Sequence, residues 1–272
     1  MSARETVGVT PATATSRQSL ASLPGTAVML NKVPAIALAF WVIKILSTTV
    51  GETGADYLAV NAGLGAALTT GITAALLVAA LLLQLSRNRY VPWVYWLTVV
   101  LLSVVGTQIT DILTDGLHVS LYASTASFSV LLAAVFFVWY RSEGTLNINA
   151  IDSRRRELFY WAAILVTFAL GTAAGDLATE ALGLGFRIGT LVFGGLIAII
   201  WIARRLGANG VLAFWLAYIL TRPLGASLGD LLAQSREYGG MGVGAAMTSA
   251  IFLAVIAVLV FMASVPRRSV SG

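Results

Sequence analysis

The chain has 272 residues, 58% of them hydrophobic and only 11% charged, with a formal net charge of +5 and no cysteine. A soluble domain carries about 25% charged residues, so the composition excludes an ordinary soluble fold and predicts an all-α, polytopic membrane protein. The missing cysteine excludes disulfides, thiolate metal sites and cysteine nucleophiles together.

Residues 1–31 are rich in Ser, Thr, Ala and Pro and hold no apolar core of the kind a secretory signal needs, so they read as a disordered cytoplasmic tail. A single membrane domain is predicted over 32–264, with a short cytoplasmic tail at 265–272. Crossing a hydrocarbon core of ~30 Å takes about 20 apolar residues. Eight stretches approach that length: 34–51, 65–85, 93–110, 119–140, 158–175, 187–203, 211–228 and 243–264. Short Gly-rich turns ("NAGLG", "GLH", "LGLG", "GGMGVG") join each odd span to the next even one. The 4–5 connection is longer than the 2–3 and 6–7 loops, which predicts two halves of four helices.

Basic residues are distributed unevenly between the two ends of these spans. The side bearing both termini receives Arg4, Arg17, Lys32, Arg87, Arg89, Arg141, Arg154, Arg155, Arg156, Arg204, Arg205, Arg267 and Arg268; the other has Arg187 and Arg236. Cytoplasmic loops are enriched in Lys and Arg, so both termini are predicted to be cytoplasmic. The same distribution accounts for the net charge without a nucleic-acid partner. Membrane lipid is the expected surrounding, with "SRRRE" (153–157) close to anionic headgroups.

One unit recurs four times. Trp41, Trp96, Trp161 and Trp215 open the odd spans, each preceded by an aromatic residue: Phe40, Tyr95, Tyr160 and Phe214. Ten residues after each Trp stands a glycine (Gly51, Gly106, Gly171, Gly225), and five further on an aspartate (Asp56, Asp111, Asp176, Asp230). The repeats run approximately over 33–87, 90–141, 157–205 and 210–264. Each contains two spans, so every copy enters the membrane in the same direction and the repeats are parallel. The pattern resembles a bacterial membrane-protein family of four tandem two-helix repeats, each with a marked Trp. That resemblance implies the architecture and a bacterial inner membrane, and assigns no activity.

Chemistry concentrates on the odd spans. Steps of four from the third residue after Trp give Lys44, Thr48, Glu52, Asp56 on span 1 and Val99, Ser103, Thr107, Asp111, Asp115 on span 3. Span 5 gives Ile164, Phe168, Thr172, Asp176, Glu180, and span 7 gives Tyr218, Arg222, Ala226, Asp230, Gln234. Residues four apart lie roughly over one another on a helix. The interiors of the even spans carry no charge, and ionisable groups in membrane helices face the bundle interior. Odd helices are therefore predicted inside and even helices outside.

The stripe sets seven acids against two bases, and the excess anions call for protons or a cation. Oxygen ligands without Cys or His suit hard ions such as Mg²⁺, Ca²⁺ or Mn²⁺. The predicted metal site is Glu52, Asp56, Asp111, Asp176 and Asp230. Lys44, Thr48, Thr107, Thr172 and Arg222 support it, and Asp115 and Glu180 form an outer vestibule. Arg222 is expected to occupy Asp230 when the site is empty, and Lys44 to act as an internal counter-ion. The Trp residues are read as interface and packing anchors, and His118 as interfacial.

No nucleophile–base pair, phosphate loop, cofactor motif or metalloprotease helix stands out, so enzyme activity is not expected. The expected function is transport of a hard cation, with proton-coupled Mn²⁺-type export favoured. The alternatives are a carrier of small organic cations or amines, and a scaffold or sensor with internally paired charges. The sequence leaves the oligomeric state open.

Overall fold

The computed structural model describes residues 31–58 and 65–264; all but Asn31 of the two predicted tails, and most of the "NAGLG" turn, lie outside the described residues. Eight long helices follow one another: α1 Leu38–Asp56, α2 Ala66–Ser86, α3 Pro92–Asp111, α4 Leu121–Glu143, α5 Arg154–Asp176, α6 Gly185–Arg205, α7 Gly210–Ala233 and α8 Ala245–Ser264. Their starts have local causes. Pro92 occupies the first turn of α3, where its missing N–H is not needed. Ser120, Ser153 and Asn209 cap α4, α5 and α7 by accepting bonds from first-turn amides at 2.9–3.3 Å.

Two helix ends differ most from the sequence reading. The first span, expected to end at 51, continues to Asp56, and the seventh, expected to end at 228, continues to Ala233. In both, a glycine near the expected end, Gly51 in one and Gly229 in the other, packs against a neighbouring helix. Among the described residues, seven helices are long and apolar enough to cross a membrane; α1 falls short because Lys44, Glu52 and Asp56 lie within it. Its 19 residues still span about 28 Å.

The odd helices form a closed ring, α1 on α3, α3 on α5, α5 on α7 and α7 back on α1. Each even helix packs mainly against the odd helix of the following repeat: α2 on α3, α4 on α5, α6 on α7, and α8 on α1. The longer 4–5 connection does not divide the bundle into halves, since α3 meets α5 as α1 meets α3. Burial follows this order: 56–67% of the α3, α5 and α7 windows is buried, against 11–28% for the even helices. Leu131, Phe137, Leu191, Ile199 and Phe261 show the apolar outer surface of the even helices.

The motif glycines close the ring. A Cβ on Gly51 would fall 2.6 Å from Cβ of Ser103, and one on Gly106 3.2 Å from the Ala169 amide nitrogen beside Phe168. On Gly171 it would meet Arg222 and Cδ of Pro223 (3.0 Å), and on Gly225 it would lie 2.6 Å from Cβ of Thr48. Thr48, Ser103, Phe168 and Arg222 all stand seven residues after their Trp. Each motif glycine thus receives the equivalent residue of the next repeat, and the fourth returns to the first. Small residues permit this backbone approach between membrane helices.

A second closed ring lies at the other end of the same helices. Phe40 packs on Trp96, Tyr95 on Trp161, Tyr160 on Trp215 and Phe214 on Trp41, at centroid distances of 5.6, 5.4, 6.3 and 5.6 Å. Trp96, Trp161 and Trp215 are buried and Trp41 partly so, so the marked tryptophans are interior packing groups and not a lipid-facing belt. The hydroxyls of Tyr95 and Tyr160 are hydrogen-bonded to one another inside this layer.

The segment before α1 is tied down by a buried ion pair. Lys32 Nζ lies 2.6 Å from Glu157 Oε2, and each side chain is 1% exposed. Glu157 also accepts from Gln84 Nε2 at 3.2 Å, which joins the ends of α2 and α5 to the lead into α1. Burial lowers the Lys32 pKa from its ordinary value, opposed by the bond and charge of Glu157.

Candidate functional site

The eight helices alternate in direction, so the start of α1 and the end of α8 share one face, here the near face. At the far face the C-terminal ends of the odd helices surround a cavity of about 830 Å³. Glu52, Asp56, Asp111, Asp115, Asp176, Glu180 and Asp230 all line it. The four repeated aspartates form one layer, with Glu52 a turn below in α1. Asp115 and Glu180 stand exposed a turn above. His118, whose φ is +55°, lies on the wall between α3 and α4.

Three of the four aspartates sit where the helix changes pitch. After Asp56, Asp111 and Asp176 the chain continues as a π-helical turn, over Ile112–Gly116 and Leu177–Ala181 in the second and third repeats. Such turns widen the helix and concentrate at functional sites. The fourth repeat keeps regular α-helix to Ala233.

Arg222 lies outside the lining of the cavity and is bound to one of its wall residues, Glu52. Its side chain is fully buried and reaches all three other inner helices. Nη1 donates to the Thr48 carbonyl at 2.9 Å, and Nη2 to Glu52 Oε2 at 2.7 Å, to Thr172 Oγ1 at 2.7 Å and to Thr107 Oγ1. This corrects the expected pairing. Arg222 pairs with Glu52 of the adjacent α1 and not with Asp230, two turns along its own helix. Thr107 and Thr172 are arranged around the guanidinium.

Below Arg222 the axis is filled. Lys44 is fully buried, its Nζ 4.1 Å from the ring centre of Phe168 and 4.3 Å from that of Tyr218, and it has no hydrogen-bond partner among the described residues. It is therefore not the counter-ion that its place on the stripe suggests. Its contacts are cation–π contacts. The Tyr218 hydroxyl and Ser103 Oγ are likewise buried without partners among the described residues.

Among the described residues, no salt bridge involves Asp56, Asp111, Asp176 or Asp230. Nor do three acidic or His side chains among them converge closely enough to hold a metal ion. The five predicted ligands share one cavity but stand around its wall. Stripe reasoning missed Gln108 and Thr70, which also line it. Gln108 is held by Thr73 Oγ1, which donates to its Oε1 at 2.6 Å. The cue was available in the sequence, a glutamine one position beyond Thr107 in an otherwise apolar span.

The repeat described as Repeat of Unknown Function (DUF347) matches residues 39–90, 94–145, 159–206 and 213–269. The chain belongs to this family. Its four units coincide with the four two-helix repeats of the fold, and the ring contacts join each unit to the next. No curated protein and no solved structure matches the chain.

Proposed function

We propose that this multi-pass membrane protein carries a cation across the membrane through the carboxylate cavity. One observation carries the reading: seven acids line a far-face cavity, and among the described residues the one base bound to any of them is Arg222, paired with Glu52. Charged groups at membrane depth are expensive and mark ion or substrate paths. A scaffold with paired acids would not leave four repeated aspartates outside every ion pair of the described residues.

The basic bias of the near-face loops supports cytoplasmic termini and a cavity opening outward, in a bacterial inner membrane. The oxygen-only donor set favours a hard divalent cation of the Mn²⁺ class, exchanged for protons in an export cycle, with Asp115 and Glu180 as the vestibule. Because the acids ring the wall, the ion is held with its water, which Mg²⁺ in particular releases reluctantly. The second reading is a small organic cation, favoured by the cavity volume, which falls within the usual range for small-molecule sites.

Purified protein in liposomes, challenged with Mn²⁺, Mg²⁺, Ca²⁺ and a polyamine under imposed pH gradients, tests both. Cation flux above that of empty vesicles is expected, with counter-movement of protons. No flux of any cation in either gradient direction would reject the proposal.

A further inference from the structure

We propose that a groove beside the acid cavity binds the phosphate headgroup of an anionic phospholipid through Arg187 and Arg236. These are the only basic residues assigned to the far side by the sequence, and 49 positions separate them. Both line one groove of about 780 Å³. Arg187 enters from the first turn of α6, and Arg236 from the short turn after α7.

Neither guanidinium forms a salt bridge or a side-chain hydrogen bond with the described residues, although Glu180 and Glu237 are close by in the chain. The far face therefore keeps an acidic bowl and a basic groove side by side without neutralising one with the other. Two like charges converging on a groove repel unless an anion lies between them. An anion there gains charge-assisted bonds, which arginine makes to phosphate in bidentate geometry.

The backbone that carries both arginines is held in place. Met241 N–H donates to the Leu231 carbonyl at 2.7 Å and Val243 N–H to Leu232 at 2.9 Å, pinning the Arg236 loop to the end of α7. Leu184 N–H donates to the Ala178 carbonyl at 3.2 Å, which fixes the approach to α6. The N-terminus of α6 has no side-chain cap, so its first amides add further donors.

The lining decides between sources of phosphate. Phe186, Ile188, Tyr238 and Met241 supply apolar surface around the two arginines. From Ile188 an exposed apolar stripe runs down α6 through Leu191 and Ile199. An amphiphile fits this arrangement: headgroup phosphate on the arginines, acyl chain along α6. Free phosphate would leave the apolar surface unused.

The test uses full-length protein freed of lipid in a nonionic detergent. Dihexanoyl phosphatidylglycerol, dihexanoyl phosphatidylcholine and inorganic phosphate are titrated separately, with binding read by native mass spectrometry. Phosphatidylglycerol should bind at one site more tightly than either other ligand. Arg187→Gln or Arg236→Gln should weaken it about fivefold, and the double variant about thirtyfold. Arg187→Lys with Arg236→Lys keeps the charge but not the bidentate fork, so it should bind more tightly than the double Gln variant and less tightly than the parent. Equal phosphatidylglycerol binding by parent and double Gln variant would overturn the site. Inorganic phosphate binding as tightly as the lipid would overturn the lipid assignment.

Discussion

Replacing Arg222 by Met should destabilise the protein mainly through Glu52. Arg222 is fully buried and its guanidinium holds Glu52 at 2.7 Å. Removing one partner of a buried ion pair costs about 3–5 kcal/mol, because the remaining charge is left without compensation. The Glu52 side chain is 8% exposed, and that surface faces the cavity, where water can reach it. The loss should therefore fall at about 3 kcal/mol, the lower end of that range. The threonines add little, because Thr107 and Thr172 already donate to their own helices at Ser103 and Phe168, each at 3.1 Å. Adding Glu52→Gln to Arg222→Met removes the stranded charge and should recover about half of the loss, whereas Glu52→Gln alone destabilises. Unfolding of the parent, both single variants and the double variant in detergent completes a thermodynamic cycle. A coupling energy of at least about 1 kcal/mol is expected. Additivity within about 0.5 kcal/mol, or an Arg222→Met variant as stable as the parent, would refute the pairing.

Gly225→Ala should destabilise by about 1–3 kcal/mol, since its Cβ would lie 2.6 Å from Thr48 Cβ and 3.0 Å from the Thr49 amide. Gly71→Ala meets nothing within 4 Å and should be neutral or stabilising by up to about 1 kcal/mol; the same unfolding assay ranks the two. Lys32 supplies a pH signature. Its pKa in the fold lies below the ordinary 10.5, so the unfolded chain binds that proton more tightly. Stability should then rise as pH climbs from the folded value towards 10.5. Lys32→Met should lose that rise, and a parent-like pH profile in the variant would contradict the assignment.

The inside–outside order of the helices was legible because charge in a membrane helix has to face inward, and only the odd spans carry it. The ring was legible in part. Fixed spacing of Trp, Gly and Asp marked equivalent positions, but nothing in one repeat says that Gly225 closes onto Thr48. The pairing of Arg222 failed for a geometric reason. Asp230 lies eight residues along the same helix, about 12 Å away, while ring closure brings Glu52 of another helix to 2.7 Å. Lys44 failed likewise. It stands two turns below Glu52, and the Phe168 and Tyr218 rings occupy the axis around it. The repeated glycine permits either close backbone approach or unwinding, and the contact of Gly51 with Ser103 shows that it serves close approach. The π-helical turns after three aspartates were not read from the sequence.

The central claim is that the carboxylate cavity, whose lining includes Glu52 and Asp56 of α1, is a cation path. Its most direct test is cation flux into liposomes holding the parent, Glu52→Gln or Asp56→Asn at matched, folded incorporation. The variants should lose transport of the cation that the parent carries, and the parent alone should bind it by calorimetry. Parent-level transport of every cation by both variants would contradict the account.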